Sequence, residues 1–101
     1  MAQQAENRSC LHLVARSSQD VIKRCEGFAG VQDEVLFLDD GVMCLCSDSG
    51  NPEVNAGSAF LSADLQARGL LGVARKLNVR IVSDQDFVAM LRQHDVCLTW
   101  K

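Results

Sequence analysis

The chain has 101 residues, enough for one domain with a real hydrophobic core and too few for two. About half of it is apolar and 23% charged, an ordinary globular balance that argues against intrinsic disorder. Ten basic residues stand against thirteen acidic ones, a formal charge of −3, which offers no broad basic surface for a phosphate backbone.

Residues 1–9 are polar and aperiodic and are expected to form a flexible tail, with a single domain over 10–101. They lack the apolar core of a signal peptide, and no apolar run approaches the length of a membrane span, so a cytoplasmic protein is expected. Five cysteines (Cys10, Cys25, Cys44, Cys46 and Cys97) without an export signal fit reduced thiols better than a disulfide framework.

Cys10 to Ala15 is a first strand, with His12 its one polar interruption. Ser17 or Ser18 offers an N-cap, and Val21, Ile22, Cys25, Phe28 and Ala29 recur on one helical face. Gly27 or Gly30 is expected to end that helix. Glu34–Leu38 is an unbroken apolar run, the mark of a strand covered on both faces. The following Asp39-Asp40-Gly41 reads as a turn with Gly41 at positive φ. Val42–Cys46 fits either a helical turn or an extended piece, and the Ser/Asp/Gly/Asn/Pro-rich stretch 47–57 reads as the longest loop.

Ser58–Leu61 resumes as a strand. Ser62 then caps a short helix that stops at Gly69, with Asp64 and Arg68 spaced to pair. Leu70–Leu77 is a loop or a second short helix, and Val79–Val82 a further strand. Ser83 caps the last helix, whose stripe is Phe87, Val88, Met90 and Leu91. His94 lies near its end, and Val96–Trp100 is a final strand, parallel, antiparallel or at an edge. Alternation of this kind predicts an α/β layer fold around a mainly parallel, roughly five-stranded sheet.

The chemistry-bearing groups are few. No glycine-rich phosphate loop and no Ser/His/Asp set is present. Asp39 and Asp40 fit a solvated turn better than an acid/base pair. Cys44 and Cys46 form a Cys-x-Cys without the second pair that a zinc site wants; they converge if extended and diverge if helical. Cys25 lies on an apolar stripe in the second half of a helix, where burial and the dipole both disfavour a thiolate. The local physics reads it as structural, or as part of a face turned to a partner subunit.

Leu11-His12-Leu13-Val14-Ala15-Arg16-Ser17-Ser18, then Cys25, then Val35-Leu36-Phe37-Leu38-Asp39-Asp40-Gly41-Val42 resemble the DsrH/TusB family. So do Leu61 to Gly69 and the closing Phe87…Thr99-Trp100, in order and with similar spacing. The resemblance implies a three-layer α/β/α domain of the DsrE/DsrF/DsrH type. It implies a subunit of a cytoplasmic sulfur-relay (sulfurtransferase) complex, accessory more than catalytic. Such a subunit supports persulfide transfer toward tRNA wobble 2-thiouridine or in dissimilatory sulfur oxidation. DsrE/TusD-like and DsrF/TusC-like sisters would join it in a heterohexamer, with a DsrC/TusE-like protein as downstream acceptor. Direct nucleic-acid or membrane contact, a cofactor and a metal are not expected. Cys25 matches a first-helix cysteine of DsrH members and is the candidate sulfur acceptor. The departures are the N-terminal extension, a slightly short link to Cys25, and thiols at Cys44 and Cys46 where small residues are usual. The competing reading is a stand-alone thiol redox or metal-binding module built on Cys44 and Cys46.

Overall fold

A computed structural model describes residues 9–30, 32–46 and 58–100. Most of the expected tail and the expected 47–57 loop lie outside the described residues. The elements run β1 (Cys10–Val14), α1 (Gln19–Phe28), β2 (Glu34–Phe37), a 3-10 helix (Asp39–Cys46) and β3 (Ser58–Leu61). There follow α2 (Ser62–Ala67), α3 (Leu71–Lys76), β4 (Ile81–Val82), α4 (Asp84–Gln93) and β5 (Val96–Trp100). The five strands form one sheet in the order β4-β3-β2-β1-β5, and every pairing is parallel. The three-layer α/β expectation is met, and the final strand is a parallel edge strand.

Alternation along the strands divides the core in two. Val14, Val35, Phe37 and Phe60 point to one face, where they meet Val21, Ile22 and Cys25 of α1, Val42 and Leu45 of the 3-10 helix, and Leu65 and Ala74 of α2 and α3. Phe37 and Phe60 stack there with ring centroids 4.7 Å apart. Leu11, Leu36, Ala59, Leu61 and Val82 point to the other face and meet α4 through Met90 and Phe87. Among the described residues one helix covers that face of the sheet. Val88 and Leu91, expected on the buried stripe of α4, are exposed instead, because the apolar positions of that helix outnumber the sheet surface it reaches.

The chain steps outward from β1 to β4, then returns through α4 to place β5 on the other side of β1. The direction of winding thus reverses at β1, and in sheets of this kind clefts form at the carboxyl ends beside such a reversal.

Local signals mostly held. Ser18 caps α1 by accepting from the Val21 N–H, and Ser83 caps α4 in a capping box with Asp86. Three differ. Gly27 lies inside α1, which ends at Ala29 in an extended conformation, so no glycine terminates it. Ser62 is the first residue of α2, and the capping position is Leu61, whose side chain offers no hydrogen bond. In Asp39-Asp40-Gly41 the positive φ belongs to Asp39, at 52°. Gly41 is required for another reason: a Cβ there would come 1.9 Å from the Val14 carbonyl oxygen, a clash no relaxation of a side chain relieves.

Candidate functional site

β1 carries Cys10, His12 and Val14 toward α1, and the parallel register of β5 puts Trp100 opposite Val14 on that same face. His12 is fully buried. Its Nδ1 accepts the Trp100 indole N–H at 3.0 Å, so the proton of the neutral ring sits on Nε2, which donates to Asp33 Oδ2 at 2.9 Å. Asp33, just ahead of β2, also accepts the main-chain N–H of Cys10 at 2.9 Å and of Gly30 at 3.0 Å. One carboxylate thereby ties the start of β1, the turn after α1 and the inward histidine together. Burial pushes its pKa up, but the Gly30 N–H, the His12 ring and the Cys10 N–H outweigh that and hold it below the usual carboxylate value. Phe28 closes the top, edge-on to both His12 and Trp100 at centroid distances of 6.1 and 5.8 Å, yet it remains 65% exposed.

Cys25 sits beneath this assembly at 1% exposure. Burial, and then the charges of Glu26, Cys10 and Asp33, push its thiol up to about 11. Cys10 is also raised, by burial first and by Asp33 next, while the Leu98 N–H pulls it down. The face that carries the family-matched cysteine is therefore a protonated-thiol environment walled by carboxylate.

Cys10, His12 and Asp33 bring donor atoms within 4.8 Å of one another and are the described residues that could hold a metal ion. Both histidine nitrogens are engaged, Nδ1 by the Trp100 N–H and Nε2 with Asp33, whose carboxylate takes three N–H contacts in all. A metal would have to break that brace to enter, so the arrangement works as a hydrogen-bonded strut.

Cys44 and Cys46 do not form a common site. On the 3-10 helix Cys44 turns inward and Cys46 outward, and burial pushes Cys44 up to about 12. The acidic turn has become an ion-pair hub. Arg68 reaches Asp39 at 2.9 Å, Asp40 at 3.0 Å and, across one turn of α2 as the spacing predicted, Asp64 at 3.6 Å. Asp64 also accepts the Asp39 N–H at 2.7 Å, holding that residue in its left-handed conformation. At the amino ends of the strands, Glu34 bridges Arg80 at 2.7 Å and His94 at 2.8 Å, and His94 Nδ1 is buried without a partner among the described residues.

Sequence reasoning missed Asp33 and Trp100 as the partners of His12. The one available signal was a polar residue at an inward position of β1, which demands partners without naming them. No helix among the described residues is long and apolar enough to cross a membrane. No curated protein matches the chain. The family model described as DsrH like protein matches residues 8–97, nearly the whole length. The chain therefore belongs to the DsrH-like family of sulfur-relay subunits.

Proposed function

We propose that this chain is an accessory subunit of a persulfide relay, assembled with DsrE/TusD-like and DsrF/TusC-like sisters in a heterohexamer, and that Cys25 accepts sulfur only within that assembly. Its destination is tRNA wobble 2-thiouridine or dissimilatory sulfur oxidation, with a DsrC/TusE-like acceptor downstream. All five cysteines are free thiols, in keeping with a reducing cytoplasm. The observation that carries the proposal is the state of Cys25. A thiol that is 1% exposed and pushed up to about 11 by burial offers little thiolate near neutral pH, which favours a supporting role over a catalytic one in the isolated subunit.

In the transfer step Cys25 gives up its thiol proton as its sulfur attacks the outer sulfur of a donor persulfide, and the departing donor thiolate takes that proton up. The donor S–S bond breaks, the donor leaves as a thiolate, and Cys25 carries the new persulfide. No acid, base or cofactor is consumed, which suits a chain without an acid/base constellation. At 1% exposure the sulfur must be uncovered before a donor can reach it.

Intact mass spectrometry after incubation with a persulfide donor tests this, on the chain alone and with its sister subunits. One added sulfur is expected in the complex, lost in Cys25→Ser, and no adduct on Cys25 in the folded chain alone. Equal adducts on wild type and Cys25→Ser would move the acceptor to another cysteine. No adduct in either setting would leave a purely scaffolding subunit.

A further inference from the structure

Three donor atoms on the α1 face come close to a metal site and stop short of one. A ring nitrogen of His12, the Cys10 sulfur and an Asp33 carboxylate oxygen all lie within 4.8 Å of one another. Thiolate, imidazole and carboxylate are ligands of zinc, which often takes three from a protein and water in the fourth place. Ligand atoms around a tetrahedral zinc stand about 3.3–3.6 Å apart, so small movements would complete the set.

Two of the three ligands are free to serve. Asp33 accepts three N–H contacts, and an ionised carboxylate offers about four acceptor positions. Cys10 is half-buried, and an entering metal ion displaces a thiol proton. His12 is the ligand that is not free. Nε2 is the nitrogen beside Asp33. To bind through it, a neutral ring must carry its proton on Nδ1 and donate that proton to an acceptor behind the ring. Behind the ring stands the Trp100 indole nitrogen, 3.0 Å from Nδ1. An indole N–H donates and cannot accept. Two N–H groups would then point at each other around a histidine that is fully buried.

We infer that Trp100 bars zinc-like ions from Cys10, His12 and Asp33 by fixing the histidine tautomer, and that the three bind such an ion once the indole N–H is withdrawn. The bar is chemical and not steric: the donors are already gathered, and one proton sits on the wrong nitrogen. The hydrogen-bonded strut and the metal site are two states of the same three residues, and the native chain holds the first. β5 carries Trp100, so the set is closed only while that strand is docked on β1.

Two measurements test this. Long-range nitrogen–proton NMR on the full-length chain reads the His12 tautomer directly. Nε2–H is expected; Nδ1–H, or a ring exchanging between the two forms, would overturn the inference without any variant. Titration with Cd2+ alone reads binding through thiolate-to-metal charge-transfer absorption, in chains carrying Cys46→Ser and Cys97→Ser to remove the exposed thiols. With Trp100 in place, only weak binding is expected. Trp100→Phe keeps an aromatic ring and removes the donor. It should bind one Cd2+ at least about tenfold more tightly, the scale on which a hydrogen bond behind a ligand changes metal affinity, with a native circular dichroism spectrum. Adding Cys10→Ser should abolish the absorption band, and adding Asp33→Asn should weaken binding. Equal affinity with and without the indole would overturn the inference. So would a folded Trp100→Phe chain that takes up no Cd2+, or a band that survives Cys10→Ser.

Discussion

The Trp100 indole N–H points at His12 Nδ1 from 3.0 Å, joining a residue near the end of the chain to one near its start and choosing the histidine's tautomer. Trp100→Phe keeps an aromatic ring against Phe28 but strands a buried acceptor. A loss of about 1–3 kcal/mol is expected, the usual consequence of leaving a buried polar group unpaired. Urea unfolding measures it, and a variant as stable as wild type would show that the contact contributes nothing.

Asp33 makes the same brace sensitive to acid. Its pKa is depressed in the folded state by the Gly30, His12 and Cys10 contacts, which outweigh burial. Stability from it is complete above the ordinary unfolded value of about 4 and disappears as pH falls through the lower folded value. Glu34, lowered by His94 and Arg80 against its burial, acts in the same direction. Asp33→Asn should therefore be less stable than wild type at neutral pH, and the gap should narrow below about pH 4. Melting temperatures across that range test the sign; a constant gap would count against it.

Gly41 against the Val14 carbonyl predicts a position that accepts no side chain. Gly41→Ala should cost more than about 3 kcal/mol, because the intruded atom is backbone already bonded to the Leu38 N–H. Gly27→Ala is the matched control. Nothing lies within 4 Å of the added carbon, and removing a helical glycine should stabilise by up to about 1 kcal/mol. Thermal melts of the two variants should move in opposite directions.

Thiol chemistry should sort by burial. Cys46, exposed at the end of the 3-10 helix, should react first with a thiol reagent in the folded protein. Cys25 and Cys44, buried and pushed up to about 11 and about 12, should appear only on unfolding. Peptide mapping after timed alkylation reads the order. Fast labelling of Cys25 in the isolated chain would remove the reason for confining its sulfur loading to the complex.

The layer architecture was legible because the signals that set it are local. Val35 to Phe37 form an unbroken apolar run, and Val21, Ile22 and Cys25 keep helical spacing. Ser18 and Ser83 lie where a cap must be. The Asp64–Arg68 pair was legible for the same reason, being one helical turn apart. The brace around His12 was not, because Asp33 and Trp100 reach it only through strand register, at separations of 21 and 88 residues. Gly41 was recognised as special but for the wrong cause. The clash that excludes a side chain is with β1, and no turn rule contains β1. The exposure of Val88 and Leu91 was hidden because helical periodicity reports an apolar face without saying how much sheet lies under it.

The position of β5 beside β1 has a consequence for biosynthesis. Strands β1 to β4 can dock in the order they are made, each on its predecessor. β5 closes the sheet on a strand translated more than eighty residues earlier, as the Cys10–Val96 register shows. Until then β1 has a bare flank and His12 lacks its Trp100 donor. Such a sequence-distant pairing must come late, since it bears the largest chain-closure entropy. A nascent chain should accordingly hold a four-stranded intermediate with an open β1 edge, the form most exposed to chaperones and to mispairing, and reach its final state only once β5 has emerged.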